Sequence, residues 1–231
     1  MKRPINFLLT IAISFLIFSC TAQMKTSLSA DEFEKAITGK DSVQVLDVRT
    51  PGEYVSGHIP KALLADWKDP SEFSRRISFI DKNKPVYVYC LSGGRSAAAA
   101  VKMRAMGYEH VYELKGGTNA WKAAGKSLEG TSSTTQMSVG TFEESVSKGI
   151  VLVDFGAEWC PPCKKMEPVL SSLQQNNKGK FTLVKVDGGN DQDILQKYKV
   201  TELPVFIIFK DGKQVWRKDG VVTEKELAAQ L

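Results

Sequence analysis

A polar stretch between residues 125 and 138 divides this 231-residue chain. It is rich in Ser, Thr and Gly, most densely in Gly130–Thr135, and such a composition cannot build a core. The chain on either side of it forms two pieces of about 100 residues each, which is an ordinary domain size. We therefore expect two domains, with residues 127–137 as a flexible linker.

The overall composition is that of a globular protein. Hydrophobic residues make up 42% of the chain, charged residues make up 25%, and the net charge is +5. Basic residues do not cluster with aromatic residues, so we expect no nucleic-acid partner.

The first twenty residues are typical of an export signal. A Lys-Arg pair precedes the apolar run Ile5–Phe18, which is too short to cross a bilayer comfortably. The run leads to Cys20 and resembles a bacterial lipoprotein signal, in which this cysteine is acylated. We expect a signal peptide over residues 1–20, lipid attachment at Cys20, and a periplasm-facing location in the bacterial cell envelope. Secretion without lipid is the alternative.

Both pieces alternate strand-like and helix-like segments. The first has predicted strands at Val43–Val48, Val86–Tyr89 and Val111–Leu114, and predicted helices after Ser29 and over Ser96–Met106. The second has predicted strands at Ile150–Phe155, Phe181–Val186, Val205–Phe209 and Lys213–Trp216, and predicted helices at Cys163–Gln175 and Glu224–Leu231. In the first piece, this alternation favours a parallel sheet with helices on both faces.

Cys160 and Cys163 lie between a predicted buried strand and a predicted helix. Unpaired amides and the dipole at a helix start favour a thiolate, so Cys160 is the expected nucleophile. Cys163 is close enough to resolve a mixed disulfide formed at Cys160. The alternatives are half of a zinc site, whose remaining ligands would have to come from the first domain, and a structural disulfide closing a very small loop.

The segment Val153–Lys164 resembles the thioredoxin active site, within a resemblance that covers about residues 138–231. It differs in having Gly156 where a second aromatic is usual. The Pro-Pro pair between the cysteines is similar to that of envelope reductants of the cytochrome-maturation type. The resemblance implies a thioredoxin fold and catalysis by Cys160 and Cys163.

The same resemblance implies roles for four further residues. Asp154 would be the buried acid that accepts the proton of Cys163, with Lys185 near it. Pro204 would be a cis-proline packed against the dithiol, and Trp159 would contact substrate. A strand-end cap for Asp154 and a surface position for Lys185 remain alternatives.

Cys90 opens a glycine-rich loop before a predicted helix. Gly93 and Gly94 allow successive amides to point inward as an anion-binding nest, and the helix start adds donors. A thiolate or a persulfide at Cys90 would be stabilised there. We expect this loop to bind substrate through four residues, with the Arg95 guanidinium positioning an anionic donor. These four are Ser92, Gly93, Gly94 and Arg95.

Three stretches resemble, in order, a single-domain rhodanese over about residues 25–126. They are Leu46–Tyr54 with Gly57–Ala62, Cys90–Ser96, and Gly116–Trp121. The resemblance implies that Cys90 is a nucleophile that carries a persulfide. We expect Asp47, Arg49, Glu53 and His58 to be structural, with a direct catalytic role for His58 as the alternative. Cysteine phosphatases share this architecture, so phosphatase activity is a rival hypothesis, although their loop is longer and this shorter one should suit a single sulfur better than a phosphate. A purely scaffolding domain is a further alternative.

The sequence thus predicts an α/β protein of two domains, a rhodanese-like parallel-sheet domain (25–126) followed by a thioredoxin fold (138–231). The predicted function is an envelope thiol–disulfide oxidoreductase coupled to a sulfurtransferase site, with no cofactor and no metal. Its predicted partners are a sulfane-sulfur donor or a disulfide-bearing envelope protein, and a membrane electron donor. The alternatives are a general periplasmic disulfide reductase with an independent rhodanese-like module, and a non-catalytic lipoprotein that binds a partner.

Overall fold

The computed structural model describes residues 25–39, 43–130 and 136–231. The predicted signal peptide with Cys20 and the centre of the predicted linker lie outside these residues. The described residues form two α/β domains, each built around its own sheet. No helix among them is long and apolar enough to cross a membrane.

The N-terminal domain contains a five-stranded sheet in the order β1-β5-β4-β2-β3, and all paired neighbours are parallel. The strands are β1 (Ser27–Leu28), β2 (Gln44–Asp47), β3 (Leu63–Leu64), β4 (Val86–Tyr89) and β5 (Val111–Leu114). The helices are α1 (Ala30–Ile37), α2 (Pro51–Val55), α3 (Pro70–Ile77), α4 (Gly94–Ala105) and α5 (Gly117–Ala123).

Apolar side chains cover both faces of this sheet. Phe33 and Trp121 pack on one face, and Phe73 and Met103 pack on the other. All four residues of the central strand β4 are buried, as is usual where helices cover a parallel sheet on both sides. This arrangement confirms the predicted parallel sheet and places the loop after β4 at the carboxyl edge of the sheet, where parallel sheets carry their sites.

The C-terminal domain contains a four-stranded sheet in the order β7-β6-β8-β9. Strands β6 and β7 are parallel, and the other two pairs are antiparallel. The strands are β6 (Ile150–Gly156), β7 (Thr182–Asp187), β8 (Val205–Lys210) and β9 (Lys213–Asp219). The helices are α6 (Val139–Ser145), α7 (Pro161–Asn176), α8 (Gln192–Lys197) and α9 (Glu224–Ala228).

This second sheet is also covered on both faces. Phe142 and Ile194 pack on one side, and Leu170 and Leu227 pack on the other. The first five residues of β8 are buried, so β8 is the core strand that supports the hairpin to β9. Strand β6 leads directly into α7, and the dithiol lies at this junction.

Part of the predicted linker is attached to the domains on either side of it. His58 and Glu129 exchange two main-chain hydrogen bonds of 2.7 and 2.8 Å, which extends the N-terminal domain beyond residue 126. On the other side, the Met137 amide donates to the Asp191 carboxylate at 2.9 Å. Glu129 and Met137, two outer residues of the predicted linker, thus each bond to the domain next to them.

Candidate active sites

Cys160 is the N-cap residue of α7, and it forms a disulfide with Cys163. The Cys163 amide donates to the Cys160 sulfur at 3.3 Å. Pro161 occupies the first helical position, where an amide hydrogen has no intrahelical acceptor, so its missing donor costs the helix nothing. The predicted position of the dithiol at a helix start is confirmed, and the local field there favours a thiolate at Cys160.

The dithiol is more deeply buried than the sequence indicates. Cys160 has 0% of its surface exposed and Cys163 has 9%. Both lie in an apolar cluster that also contains Leu203 and is flanked by Trp159. The sulfur that the sequence identifies as the nucleophile is therefore covered in this arrangement.

Asp154 lies on β6 beside the dithiol and is paired in register with Lys185 on β7. Burial raises the pKa of Asp154 from its ordinary value to about 6, with the Lys185 charge lowering it and the Glu167 charge adding to the rise. Asp154 and Cys163 both line a cleft of about 280 Å³. A carboxyl group that titrates near neutrality is suited to exchange a proton with a thiol.

Gly156 explains how closely the acid and the resolving cysteine approach each other. A Cβ atom at this position would lie 3.2 Å from Asp154 Oδ1 and 3.7 Å from Cys163 Cβ. The absence of a side chain leaves the cleft open between these two groups. The sequence showed Gly156 as a departure from the usual aromatic residue, but not this consequence.

The peptide bond between Leu203 and Pro204 is cis, as the resemblance implies. Pro204 directly precedes β8, and Leu203 packs in the apolar cluster that contains both cysteines of the dithiol. Trp159, the other predicted contact residue, is half-buried and packs against the cores of both domains. Leu203 and Trp159 thus lie in or against the apolar cluster that contains Cys160.

Cys90 lies at the base of the loop between β4 and α4 and is 1% exposed. Its sulfur accepts hydrogen bonds from the Gly93 amide at 3.1 Å and from the Ser96 hydroxyl at 3.5 Å. Burial raises the pKa of the Cys90 thiol, but the hydrogen bonds from Ser96, Gly93 and Ser92 outweigh it and lower the pKa overall. Gly93 has φ of +104°, which a residue with a side chain rarely adopts, so the loop requires glycine there.

The start of α5 supports the Cys90 loop from behind. The Thr118 amide donates to the Cys90 carbonyl at 2.8 Å, and the Asn119 amide donates to the Leu91 carbonyl at 3.0 Å. A Cβ atom at Gly117 would lie 2.3 Å from the Cys90 carbonyl oxygen. Sequence reasoning recognised this motif as a family signature but missed its role as a support for the loop.

Arg95 forms an ion pair within the first domain. Its guanidinium donates to both carboxylate oxygens of Glu53 on α2, at 2.8 and 2.6 Å. This pairing holds the pKa of Glu53 at about 2. The predicted role of Arg95 in binding an anionic donor stays a prediction, as do those of Ser92 and Gly94, which are exposed at the mouth of the loop.

Three more polar residues of the first domain hold its frame. Asp47 and Arg49 form a buried ion pair of 2.6 Å, and Arg49 also donates to the Gly57 carbonyl. The His58 ring stacks on Tyr54 at a centroid distance of 3.8 Å. Within the described ranges, no group of three or more His, Cys, Asp or Glu side chains is placed to hold a metal ion.

The two sulfur sites are not in contact. The hydrogen bonds to the Cys90 sulfur come from its own loop and helix, and Cys90 belongs to a core cluster of the N-terminal domain. Cys160 and Cys163 belong to a cluster of the C-terminal domain. The second domain instead contacts the first through Trp159, whose ring lies against Arg76 and whose carbonyl accepts a hydrogen bond from the Leu64 amide.

Comparison with known proteins agrees with both parts of this description. The family model "Thioredoxin" matches residues 133–231, and the model "Rhodanese-like domain" matches residues 29–124. A thioredoxin from Staphylococcus aureus is 39% identical over 90 residues, which cover 39% of this chain and 86% of that protein. The chain belongs to the thioredoxin family. In this chain, the thioredoxin domain follows a rhodanese-like domain.

Two further proteins are similar to part of this chain. Thioredoxin Y1, chloroplastic, from Arabidopsis thaliana is 42% identical over 81 residues, which cover 35% of this chain. The chain spans about half of that protein, 47% of its length. The crystal structure of the Alr3790 protein from Anabaena sp. is 35% identical, covering 45% of this chain and 80% of that one, with a TM-score of 0.40. The thioredoxin relatives and the helix-start dithiol together support thiol–disulfide exchange at Cys160 and Cys163.

Proposed function

We propose that this protein is a thiol–disulfide oxidoreductase that reduces sulfane sulfur carried as a persulfide on Cys90. The observation that carries the proposal is the shared geometry of the two sulfur sites. A main-chain amide donates to the sulfur of Cys160 and another to that of Cys90, each at the beginning of a helix. Both sites therefore favour sulfur as an anion, the form that attacks and the form that a persulfide takes.

The first step loads the rhodanese-like site. The Cys90 thiolate attacks the outer sulfur of a donor such as thiosulfate, the sulfur–sulfur bond of the donor breaks, and sulfite leaves. The product is a Cys90 persulfide, and the amides of Gly93 and the loop stabilise its negative charge.

The second stage uses the dithiol in its reduced form. The Cys160 thiolate attacks the outer sulfur of the persulfide, which releases the Cys90 thiolate and forms a persulfide on Cys160. The Cys163 thiolate then attacks Cys160 Sγ, the disulfide forms, and hydrosulfide leaves. Two electrons pass from the dithiol to the sulfur atom, and an external thiol reductant restores the dithiol.

Asp154 serves the resolving step in this proposal. Its carboxylate accepts the proton of the Cys163 thiol, which makes Cys163 nucleophilic at neutral pH. The support for this role is that both groups line one cleft and that the pKa of Asp154 lies at about 6. The tether between the domains would raise the effective concentration of one site at the other.

The location and the physiological partners are proposed from the sequence. Residues 1–20 favour export to the bacterial envelope with a lipid at Cys20, facing the periplasm. There the electrons would come from a membrane electron donor, because a dithiol that turns over in an oxidising compartment needs a dedicated supply.

A single-turnover experiment tests the relay. The full chain is reduced, freed of reductant and mixed with one equivalent of thiosulfate, and sulfite, sulfide and protein thiols are counted. We expect one sulfite and one sulfide per chain, with the loss of two thiols. Cys160→Ser should still release sulfite but no sulfide, and Cys90→Ala should release neither. The relay is wrong if Cys90→Ala produces sulfide as the wild-type chain does.

A second candidate is a general disulfide reductase beside an independent rhodanese-like module. The observation that favours it is that Cys90 and Cys160 are not in contact. It predicts that Cys90→Ala reduces insulin disulfides at the wild-type rate and that thiosulfate does not oxidise the dithiol of the wild-type chain.

A further inference from the structure

The dithiol face of the thioredoxin domain is occupied by the rhodanese-like domain. Trp159, the residue before Cys160, packs against the core that contains Tyr54, and the two ring centroids are 6.2 Å apart. Leu203, the residue before Pro204, is contacted by Arg75 from α3. The two residues next to the dithiol and the cis-proline are thus both engaged by the other domain.

A main-chain hydrogen bond anchors the contact. Strand β3 is the outermost strand of its sheet, so one side of its backbone is free to pair with another segment. The Leu64 amide donates across the domain boundary to the Trp159 carbonyl at 2.7 Å. The Leu64 carbonyl accepts from Arg76 Nη1 at 3.1 Å, and this brings Arg76 to the same edge.

Two arginines of α3 complete the contact. The Arg76 guanidinium lies 4.8 Å from the centre of the Trp159 ring, a cation–π arrangement. Arg75 donates to the Leu203 carbonyl at 2.9 Å and lies 3.5 Å from the Glu202 carboxylate. The contact consists of polar bonds from Leu64 and Arg75 and of the packing of the Trp159 ring against Arg76 and Tyr54. A small contact with this many polar bonds is typical of an interface that can open.

The nucleophilic sulfur is inaccessible in the chain with its domains in contact. Cys160 is 0% exposed, and the space between the domains beside Trp159 is a cleft of about 340 Å³. An outside protein disulfide needs the same face that Leu64 and the two arginines occupy. We propose that the rhodanese-like domain is an internal competitor for the dithiol face, so that the dithiol exchanges with other proteins only after the domains separate.

This control of access to the dithiol does not depend on the sulfur relay. Closing the contact shields Cys160 and opening it exposes Cys160, whichever partner then reacts. If the thiosulfate experiment fails, the proposed competition for the dithiol face is unaffected. If the experiments below fail, the proposed relay chemistry is unaffected.

The first test compares rates of disulfide reduction by dithiothreitol at pH 7, with acid quenching and mass detection of alkylated thiols. Arg75→Glu removes the donor to Leu203 and places a carboxylate against Glu202. We expect it to speed reduction of Cys160–Cys163 about tenfold, since it replaces a charge-assisted bond with repulsion. The exchanged pair Arg75→Glu with Glu202→Arg should return the rate to within about twofold of wild type.

The matched control is Lys84→Glu, the same change of charge at an exposed residue of the loop before β4. It should leave the rate of reduction unchanged. Equal rates for Arg75→Glu and wild type would overturn the proposal, as would an equal acceleration by Lys84→Glu.

The second test measures hydrogen exchange at the domain contact. The Leu64 amide of the oxidised full chain should exchange its hydrogen slowly, because its acceptor is the Trp159 carbonyl of the other domain. It should exchange much faster in Arg75→Glu, while the amides of β4 stay as protected as in wild type. Rapid exchange of Leu64 in the wild-type chain would show that the closed contact does not form and would overturn the proposal.

Discussion

Each sulfur site depends on a few main-chain donors whose positions are determined by neighbouring residues. The Cys163 amide points at Cys160 because α7 begins there, and the Gly93 amide points at Cys90 because Gly93 adopts a left-handed conformation. Both sulfurs are buried, and burial alone would raise the pKa of a thiol. At Cys90 the hydrogen bonds outweigh burial and lower the pKa of the thiol.

The first prediction concerns the Ser96 hydroxyl, which donates to the Cys90 sulfur at 3.5 Å. Ser96→Ala should raise the pKa of the Cys90 thiol and slow its alkylation by iodoacetamide at pH 7 severalfold, because a hydrogen bond to a charged group contributes about 1.5 kcal/mol or more. Peptide mass spectrometry measures the rate of Cys90 alkylation as a function of pH, and this profile should move to higher pH. Ser147→Ala removes a similar hydroxyl from the other domain and should not move it. An unchanged pH profile for Ser96→Ala would contradict the proposal that the Ser96 hydroxyl stabilises the Cys90 thiolate.

The second prediction concerns Asp154, whose pKa is raised from 3.8 to about 6 in the folded chain. The folded state then binds this proton more tightly than the unfolded state, so the contribution of Asp154 to stability falls as pH rises from about 4 to about 6. Asp154→Asn should therefore stabilise the oxidised chain at pH 7, by up to about 3 kcal/mol.

Denaturant unfolding between pH 3.5 and 8, monitored through the hydrogen exchange of the β6 amides, measures this effect. The stabilising effect of Asp154→Asn should shrink toward zero near pH 4. Lys225→Gln, at an exposed position of α9, should show no such pH dependence. A constant difference across this range would mean that Asp154 does not titrate abnormally.

At the scale of elements, short helices decide where the reactive loops lie. α2 begins at a capping box between Thr50 and Glu53, and the same Glu53 carboxylate binds Arg95 of α4. α5 supports the Cys90 loop through the Thr118 amide. The loop is thus held by two helices of five and seven residues.

The third prediction tests the support that α5 gives to the Cys90 loop. Gly117 has φ of +59° and no room for a Cβ atom, whereas Gly125 has φ of +72° and open space around it. Gly125→Ala should cost about 1 kcal/mol, the backbone penalty alone. Gly117→Ala should cost about 3 kcal/mol or more and should change the alkylation rate of Cys90. Equal losses in denaturant unfolding would contradict the close contact between Gly117 and the loop.

These short elements are also where sequence reasoning was weakest. The buried apolar strands β4, β6 and β8 were predicted to within a residue or so, because a buried run and its flanking turn signals are local. Seven short elements were not predicted, since an element of two to eight residues carries little periodic signal; they are β1, β3, α2, α3, α5, α6 and α8. The Thr50 and Asp69 caps, each followed by proline, were the signals that could have shown α2 and α3.

At the scale of the whole molecule, the two-domain α/β division was predicted correctly and the contact between the domains was not. The sequence shows the division because the polar linker and the two cysteine motifs are continuous in the chain. The contact joins Leu64 to Trp159 and Arg75 to Leu203, residues about 100 positions or more apart whose pairing depends on tertiary structure. The burial of Cys160 among apolar residues of its own domain also depends on tertiary packing and was not predicted.

The domain arrangement also bears on the relay. In the closed contact, the thioredoxin domain is held at strand β3 and α3, and its dithiol is not at the Cys90 loop. The proposed transfer of sulfur from Cys90 to Cys160 would then require the domains to separate and meet again in another orientation. We therefore expect Arg75→Glu to speed the single-turnover release of sulfide as well as the reduction of the disulfide.

Mass spectrometry can locate the transferred sulfur atom and so decide whether the relay operates. The Cys163→Ser variant is reduced, freed of reductant and treated with one equivalent of thiosulfate, and its peptides are then alkylated and weighed. Because the introduced serine cannot resolve the intermediate, the relay predicts one additional sulfur atom on the peptide that contains Cys160, and none there when Cys90 is also replaced by alanine. A sulfur atom found on the Cys90 peptide alone, with the Cys160 peptide unchanged, would contradict it.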